Sequence, residues 1–321
     1  YNTAQNSLGN VGAVVGENKG GLVNNVNVEF NAYKVMDGYC MGGVVGTIND
    51  NGVVSNCVVT VNAEKAWDRI GTHATGQARS SFGLIVGFCE KGTVEYCKVN
   101  STVNIPIIAN EGTGGIIGTM QLTAMVRYCT SNANVCWQPI TYTQEARGRV
   151  GGIVGQLFGG TVMECTATGT VNKGGNQSAM CVGGIAGWVQ HWRSQVENCI
   201  IRDCYYDNYV EGTQSLFGAS KIGGLVGDVW WGEYHNNYVH TWLPSGLTEV
   251  KHGFGIIETE QLYYQYPPVC SGNYIVNGNA SPQFTVVADF AALKAATAAI
   301  WDYTTVWNDS TTPFTLRKAK Y

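Results

Sequence analysis

Charge and proline are scarce in this 321-residue chain: 13% of residues are charged and only 7 are proline. Nineteen basic against 23 acidic residues leave a net charge of −4, with no basic run. A nucleic-acid or anionic-membrane surface is therefore not expected. No apolar stretch reaches the ~18 residues of a membrane-spanning helix. The opening residues, YNTAQNSLGN, have neither the charged start nor the apolar core of a signal peptide, so the reading is of an excised or processed chain. The five histidines are His73, His191, His235, His240 and His252, and none begins a His-Glu-x-x-His pair. A zinc protease of that kind is excluded. His235 and His240 are read as lying in one strand, on opposite faces. There is no P-loop, because the glycine-rich phrases are periodic corners.

What the chain has in abundance is glycine, 42 residues of it. Much of it sits in one recurring phrase: GAVVG (12–16), GGVVG (42–46), GLIVG (83–87), GGIIG (114–118), GGIVG (151–155), GGIAG (183–187) and GGLVG (223–227). Such a repeat means stacked units rather than one globular core. After each phrase comes a turn, often Gly-Thr, then an alternating run such as Val94-Glu95-Tyr96-Cys97-Lys98-Val99. A short third piece such as Gly169-Thr170-Val171 closes the unit. Alternation between glycine-rich turns means short β-strands, three per unit, and so a coil of triangular section. The uneven spacing of the phrases predicts loops leaving at one corner, roughly Asn62 to Ser81, Cys136 to Arg149, Cys204 to Lys221 and His240 to His252. An eighth, degenerate coil is expected from Gly253 to Val276, giving a rod about 40 Å tall at ~4.8 Å per coil. The expected architecture is an all-β, right-handed parallel β-helix of seven to eight coils over residues 1–280. A capping segment, 281–321, follows it, with a short helix at Ala288 to Ile300 that covers the open end.

Cysteine is plentiful, at 11 residues, but is placed unlike a disulfide framework. Cys57, Cys97, Cys129, Cys165 and Cys199 follow their closing glycines by 10 to 12 residues, and Val26 and Asn237 hold the matching place in the first and seventh units. One inward position per coil predicts a ladder of buried free thiols.

The phrase GGIVG, the Gly-Thr-Val turn and the polar second strand resemble GLUG-type repeats. The likeness covers about residues 9 to 240. The ending, with Trp301-Asp302-Tyr303, Trp307 and Pro313, is similar to segments that close such arrays in Bacteroidetes secreted proteins. GLUG repeats occur in bacterial surface and adhesin-like proteins and in non-catalytic parts of immunoglobulin A1 metalloproteases. The resemblance implies a right-handed parallel β-helix at the cell surface or outside the cell. It implies no catalytic residues and no cofactor, and a protease label would rest on the repeats alone.

Two clusters invite chemistry. One is aromatic: Trp188, His191 and Trp192 after the sixth phrase, and Trp230, Trp231 and Tyr234 after the seventh. Equivalent turns stack, which sets Trp192 and Trp231 on adjacent coils along one edge. Such an edge suits the apolar faces of sugar rings, whereas the plainer reading is mutual packing. The other cluster is acidic: Asp203, Asp207 and Glu211, with Asp228 or Glu233, could supply two carboxylates for glycoside hydrolysis. Lys221 and Arg193 are isolated candidates for a lyase base. Acids in polar loops are ordinarily just solvated. Cys199 and Cys204 lack a histidine at zinc-ligand spacing, and the calcium-binding β-roll pattern is missing. The expectation is a non-enzymatic adhesin or stalk without metal or cofactor, its partner a glycan or host surface protein. The alternative is a polysaccharide-degrading enzyme on the same scaffold.

Overall fold

A computed structural model describes residues 9–30, 39–62, 70–71, 81–101, 104–108, 112–137, 148–171, 181–190, 199–209, 221–242, 250–251, 253–257, 267–279 and 281–318. The chain forms a parallel β-helix of eight coils, the eighth including the predicted degenerate one. Each coil carries at least four strands, not three. The second to fourth coils add a fifth strand each (Ile70–Gly71, Asn104–Ile108 and Asn134–Trp137) in a small parallel sheet of their own. Four sheets run the length of the column. We call them sheets I to IV in the order the chain visits them. In the second coil they hold Cys40–Gly42, Val45–Asn49, Gly52–Ser55 and Val58–Val61. No helix among the described residues is long and apolar enough to cross a membrane.

The extra strand comes from the glycine phrase, which is a corner rather than one strand. Gly42 ends the strand of sheet I, Gly43 and Val44 bend, and Val45 begins sheet II. The bend lets Val44 and Val45 both enter the core, where both are fully buried. Consecutive residues of a straight strand could not do so. The fourth coil shows why glycine is needed. A Cβ on Gly114 would lie 1.9 Å from the Ile117 carbonyl oxygen, and one on Gly118 would lie 2.5 Å from the Phe82 nitrogen of the coil before.

A second corner, between sheets III and IV, is turned by one left-handed residue per coil: Asn25, Asn56, Tyr96, Tyr128, Glu164, Asp203, Asn236 and Gly272, with φ from 47° to 62°. Asn, Asp and Gly adopt this conformation most readily. The residue after it points inward and builds the ladder: Val26, then Cys57, Cys97, Cys129, Cys165 and Cys204, then Asn237 and Asn273. Here the sequence expectation is corrected. Cys199 begins the sheet III strand Cys199–Arg202, level with Gly160, and Cys204 takes the ladder place. The sixth coil has a longer segment between sheets II and III, so counting from Gly187 falls short. Insertions therefore leave at more than one corner. His235 and His240 likewise lie in different strands, Glu233–His235 and Tyr238–Trp242.

Every ladder cysteine is buried and unbridged. Burial raises the Cys129 and Cys165 thiols well above their ordinary value, which makes them poor nucleophiles. In the last coils amides replace thiols. Asn237 Nδ2 donates to Asn273 Oδ1 (3.0 Å) and the Ile201 carbonyl (2.9 Å), and Cys204 N donates to Asn237 Oδ1 (2.9 Å). Buried amides satisfied in this way avoid the desolvation cost of ~1–3 kcal/mol for an unmade bond.

The C-terminal segment does two things, only one of which was expected. Thr285–Val287 adds a ninth strand to sheet IV, and Phe284 packs on Phe254 (4.9 Å), closing the end of the core. The sheets thus continue past residue 280. The helix α1, Phe290–Thr297, shorter than expected, is capped by Asp289, which accepts from Ala292 N at 2.8 Å. With the residues after it, α1 then lies along the flank of the column rather than over its end. There, outward-facing Tyr205, Tyr238 and Tyr274 of sheet IV bury against Leu293, Trp301 and Trp307. Trp301 stacks on Trp307 (4.5 Å) and Tyr205 on Tyr238 (4.9 Å). Lys318 reaches the Tyr128 ring of the fourth coil (5.1 Å).

Glu164 sits under this clasp in a conformation that disfavours it, and burial raises its carboxyl above the ordinary value. A raised native pKa gives stability that is full at acid pH and lost as pH climbs through that value. Glu164→Asn should therefore abolish this loss and add about 1 kcal/mol by relieving the left-handed strain. Urea midpoints measured from pH 4 to 8 would test it. A variant less stable than the parent at neutral pH would contradict it.

Candidate functional site

The acute bend at each glycine phrase folds the outer faces of sheets I and II toward each other, leaving a notch along the column that their own side chains fill. Across it, Ser81 and Thr119 hydroxyls meet at 2.7 Å and Lys221 Nζ meets Asp228 Oδ2 at 2.7 Å. Most residues lining the notch are buried without belonging to the main core, with Phe88 and Lys221 only partly buried. Sheet I contributes Cys40, Ser81, Gly112, Arg149, Cys181 and Lys221 in vertical register. Sheet II contributes Thr47, Phe88, Thr119, Gln156, Trp188 and Asp228.

The composition of the notch changes along the rod. In coils 2 to 4 it is lined by Cys, Ser, Gly, Thr and Phe. In coils 5 to 7 it holds Arg149, Gln156, Trp188, Lys221 and Asp228. The Arg149 guanidinium lies 3.6 Å from the centre of the Trp188 ring, a cation–π contact strengthened by burial. Trp188 in turn meets Phe158 edge-on at 5.5 Å and Trp230 at 5.8 Å. Three aromatic rings from three successive coils thus form one row beside the polar notch. Gln156 is 0% exposed, and neither atom of its amide has a hydrogen-bonding partner among the described residues. The Trp188 indole nitrogen is also buried and has no partner among the described residues. Burial, and then the Asp228 carboxylate, hold the Cys181 thiol well above its ordinary value. It is a packing group rather than a nucleophile.

The aromatic expectation is thereby redrawn. Trp188 and Trp230 meet, but Trp188 is only 8% exposed, with Arg149 against one face. Trp231 packs half-buried against the core, and Tyr234 lies fully inside it, its hydroxyl donating to the Trp231 carbonyl at 2.9 Å. Tyr234 is thus a structural residue. Inward alternation along the sheet III strand puts it in the core instead of on an edge. His191 and Trp192 lie outside the described residues, as do Arg193 and Glu211. Arg149 and Gln156 carry no signal in the sequence, since only the folding of two outer faces together brings them beside Trp188.

The acids do not gather. Asp228 is in the notch on sheet II, and Glu233 is on sheet III beside His235 (3.4 Å). Asp203 turns the corner between sheets III and IV with Arg202 at 2.7 Å. Asp207 is on sheet IV with His240 at 2.8 Å. Burial raises the carboxyls of Asp203 and Asp207, and their Arg202 and His240 partners oppose it. Among the described residues no group of three or more His, Cys, Asp or Glu is arranged to hold a metal ion.

The comparison with protein families matches residues 146–172 to "The GLUG motif". Those residues include the sheet I, II and III strands of the fifth coil, with Arg149 and Gln156 among them. No curated protein and no solved structure is significantly similar to the chain. The described chain is a parallel β-helix module whose fifth coil matches the GLUG motif.

Proposed function

We propose that this β-helix is a non-enzymatic binding module, cell-surface or secreted, which holds a glycan along the notch and aromatic row of coils 5 to 7. The observation that carries the reading is the switch in notch lining from the uncharged Cys40, Thr47, Ser81, Phe88, Gly112 and Thr119 to Arg149, Gln156, Trp188, Lys221 and Asp228. A buried amide with no partner costs ~1–3 kcal/mol, and a core-packing role would be served better by an apolar side chain. Trp230, partly exposed at the rim of the row, suits the face of a sugar ring. The separation of Asp203, Asp207, Asp228 and Glu233 onto different faces supports binding over hydrolysis, which needs two carboxylates flanking one bond. The resemblance to surface proteins with GLUG repeats supports the adhesin or stalk role and the extracellular location.

A panel of immobilised polysaccharides tests this. Trp230→Ala should weaken glycan binding about tenfold or more, whereas Gln156→Leu should leave stability unchanged or raised, because it removes an unsatisfied amide. Retention on the panel that ignores Trp230→Ala would refute the site. Release of reducing ends or unsaturated sugars would refute the non-enzymatic reading.

A further inference from the structure

Among the described lysine and arginine ion pairs, one differs from the rest in its surroundings. Lys19–Glu17 and Lys294–Asp309 lie at the surface, with lysine side chains 62% and 57% exposed. Arg127 and Arg202 pair with Glu95 and Asp203, but a guanidinium keeps its proton and is no nucleophile. Lys221 Nζ lies 2.7 Å from Asp228 Oδ2, with side chains only 16% and 1% exposed. The two sit on opposite walls of the notch, in the strands Lys221–Gly223 and Val226–Val229, 7 residues apart across the GGLVG corner. Strand pairing with the sixth coil fixes them there, Lys221 level with Cys181 and Asp228 level with Trp188. Both of those neighbours are buried. The Cys181 thiol, kept protonated by burial, donates to Asp228 Oδ2 at 3.8 Å.

We propose that Lys221 and Asp228 condense spontaneously into an intramolecular amide, a covalent staple between sheets I and II of the seventh coil. An amine and a carboxyl group held in contact by two hydrogen-bonded strands are already oriented for that reaction. Such fixing is worth an effective concentration on the order of 10⁵ M or more. Burying two charges costs free energy that their attraction only partly returns, and condensation removes both charges at once. In the reaction the ammonium passes one proton to the carboxylate, and the freed Nζ lone pair attacks Asp228 Cγ to form a C–N bond. The C–Oδ2 bond then breaks, and Oδ2 leaves as water with the proton it received and a second one from Nζ. One ammonium and one carboxylate thus give one secondary amide and one water, with no other reactant. The Cys181 hydrogen bond falls on the departing oxygen, which makes this thiol a positioning group.

Intact-mass spectrometry of the whole chain, incubated at neutral pH and then denatured and reduced, tests the proposal. The expected mass is one water below that of the sequence. Lys221→Arg keeps the positive charge but not the amine, and it should restore the full mass, as should Asp228→Ala. Trypsin should fail to cut the parent after Lys221, and fragmentation should place the missing water on a link between residues 221 and 228. Fragmentation needs no variant, so it decides the matter even if a substituted chain does not fold. A parent of full mass would overturn the idea. So would a water loss that persists in Lys221→Arg or that maps elsewhere, for example to the exposed Lys294–Asp309 pair.

Discussion

Replacing Trp307 by alanine is expected to cost about 3–5 kcal/mol, the range for removing a large aromatic side chain from a packed interior. Trp307 is fully buried and stacks on Trp301 at 4.5 Å, and its ring also lies 5.4 Å from Tyr238 and 6.3 Å from Tyr205. It is the point where the C-terminal segment grips the flank of sheet IV. The loss should be local before it is global. Limited proteolysis of Trp307→Ala should cut the residues from Phe290 onward while the first five coils stay intact. Urea unfolding should show an early phase that the parent lacks. Equal protease resistance in variant and parent would mean that the flank contact is not held there.

Gly114→Ala should be about as damaging, at about 3–5 kcal/mol or outright failure to fold, although it adds only one methyl group. That methyl would sit 1.9 Å from the Ile117 carbonyl oxygen and 2.7 Å from that of Ile153 in the next coil. Both obstacles are backbone, and each belongs to a hydrogen-bonded corner, so neither can swing aside. Strain of this kind belongs to the short set of mechanisms behind the largest single-site losses. Gly9 is the control, since nothing lies within 4 Å of a Cβ built there. Gly9→Ala should stay within about 0.5 kcal/mol of the parent. Chemical denaturation of the two variants side by side checks the contrast, and a mild effect at Gly114 would mean the corner can relax.

The stacking is legible because the seven pentapeptides carry their own register, and Gly42, Gly83 and Gly114 do lie level in one sheet. A fourth strand per coil is not expected from the alternation, yet the clue to it is present in the chain. Val44-Val45, Ile116-Ile117 and Ile153-Val154 are pairs of neighbouring apolar residues, every member fully buried. Two neighbours can share a core only across a bend. Cys204 takes the place expected of Cys199 for a different reason: counting along the chain presumes corners of equal length, and the sixth coil breaks that rule. The notch is illegible for a third reason. Arg149 precedes its glycine phrase and Trp188 follows the next one, and their contact at 3.6 Å depends on two outer faces closing together. Alternation within a strand tells inside from outside, but it cannot say which outsides touch. The aromatic residues Trp188 and Trp230 do stand out in the sequence, although equivalence of turns pairs their neighbours Trp192 and Trp231 instead.

The clasp along sheet IV changes how this column should come apart. A bare solenoid is a chain of nearest-neighbour contacts and can fray from either tip. Here α1 and Trp307 tie the sixth, seventh and eighth coils into one block through Tyr205, Tyr238 and Tyr274, and Lys318 extends the tie to the fourth coil. Losing any one of those coils means losing the shared aromatic packing as well. Melting therefore has a direction: it begins in the coils outside that block and runs toward the bound tail, so Trp188, Lys221 and Asp228 of the sixth and seventh coils are among the last notch residues to be released.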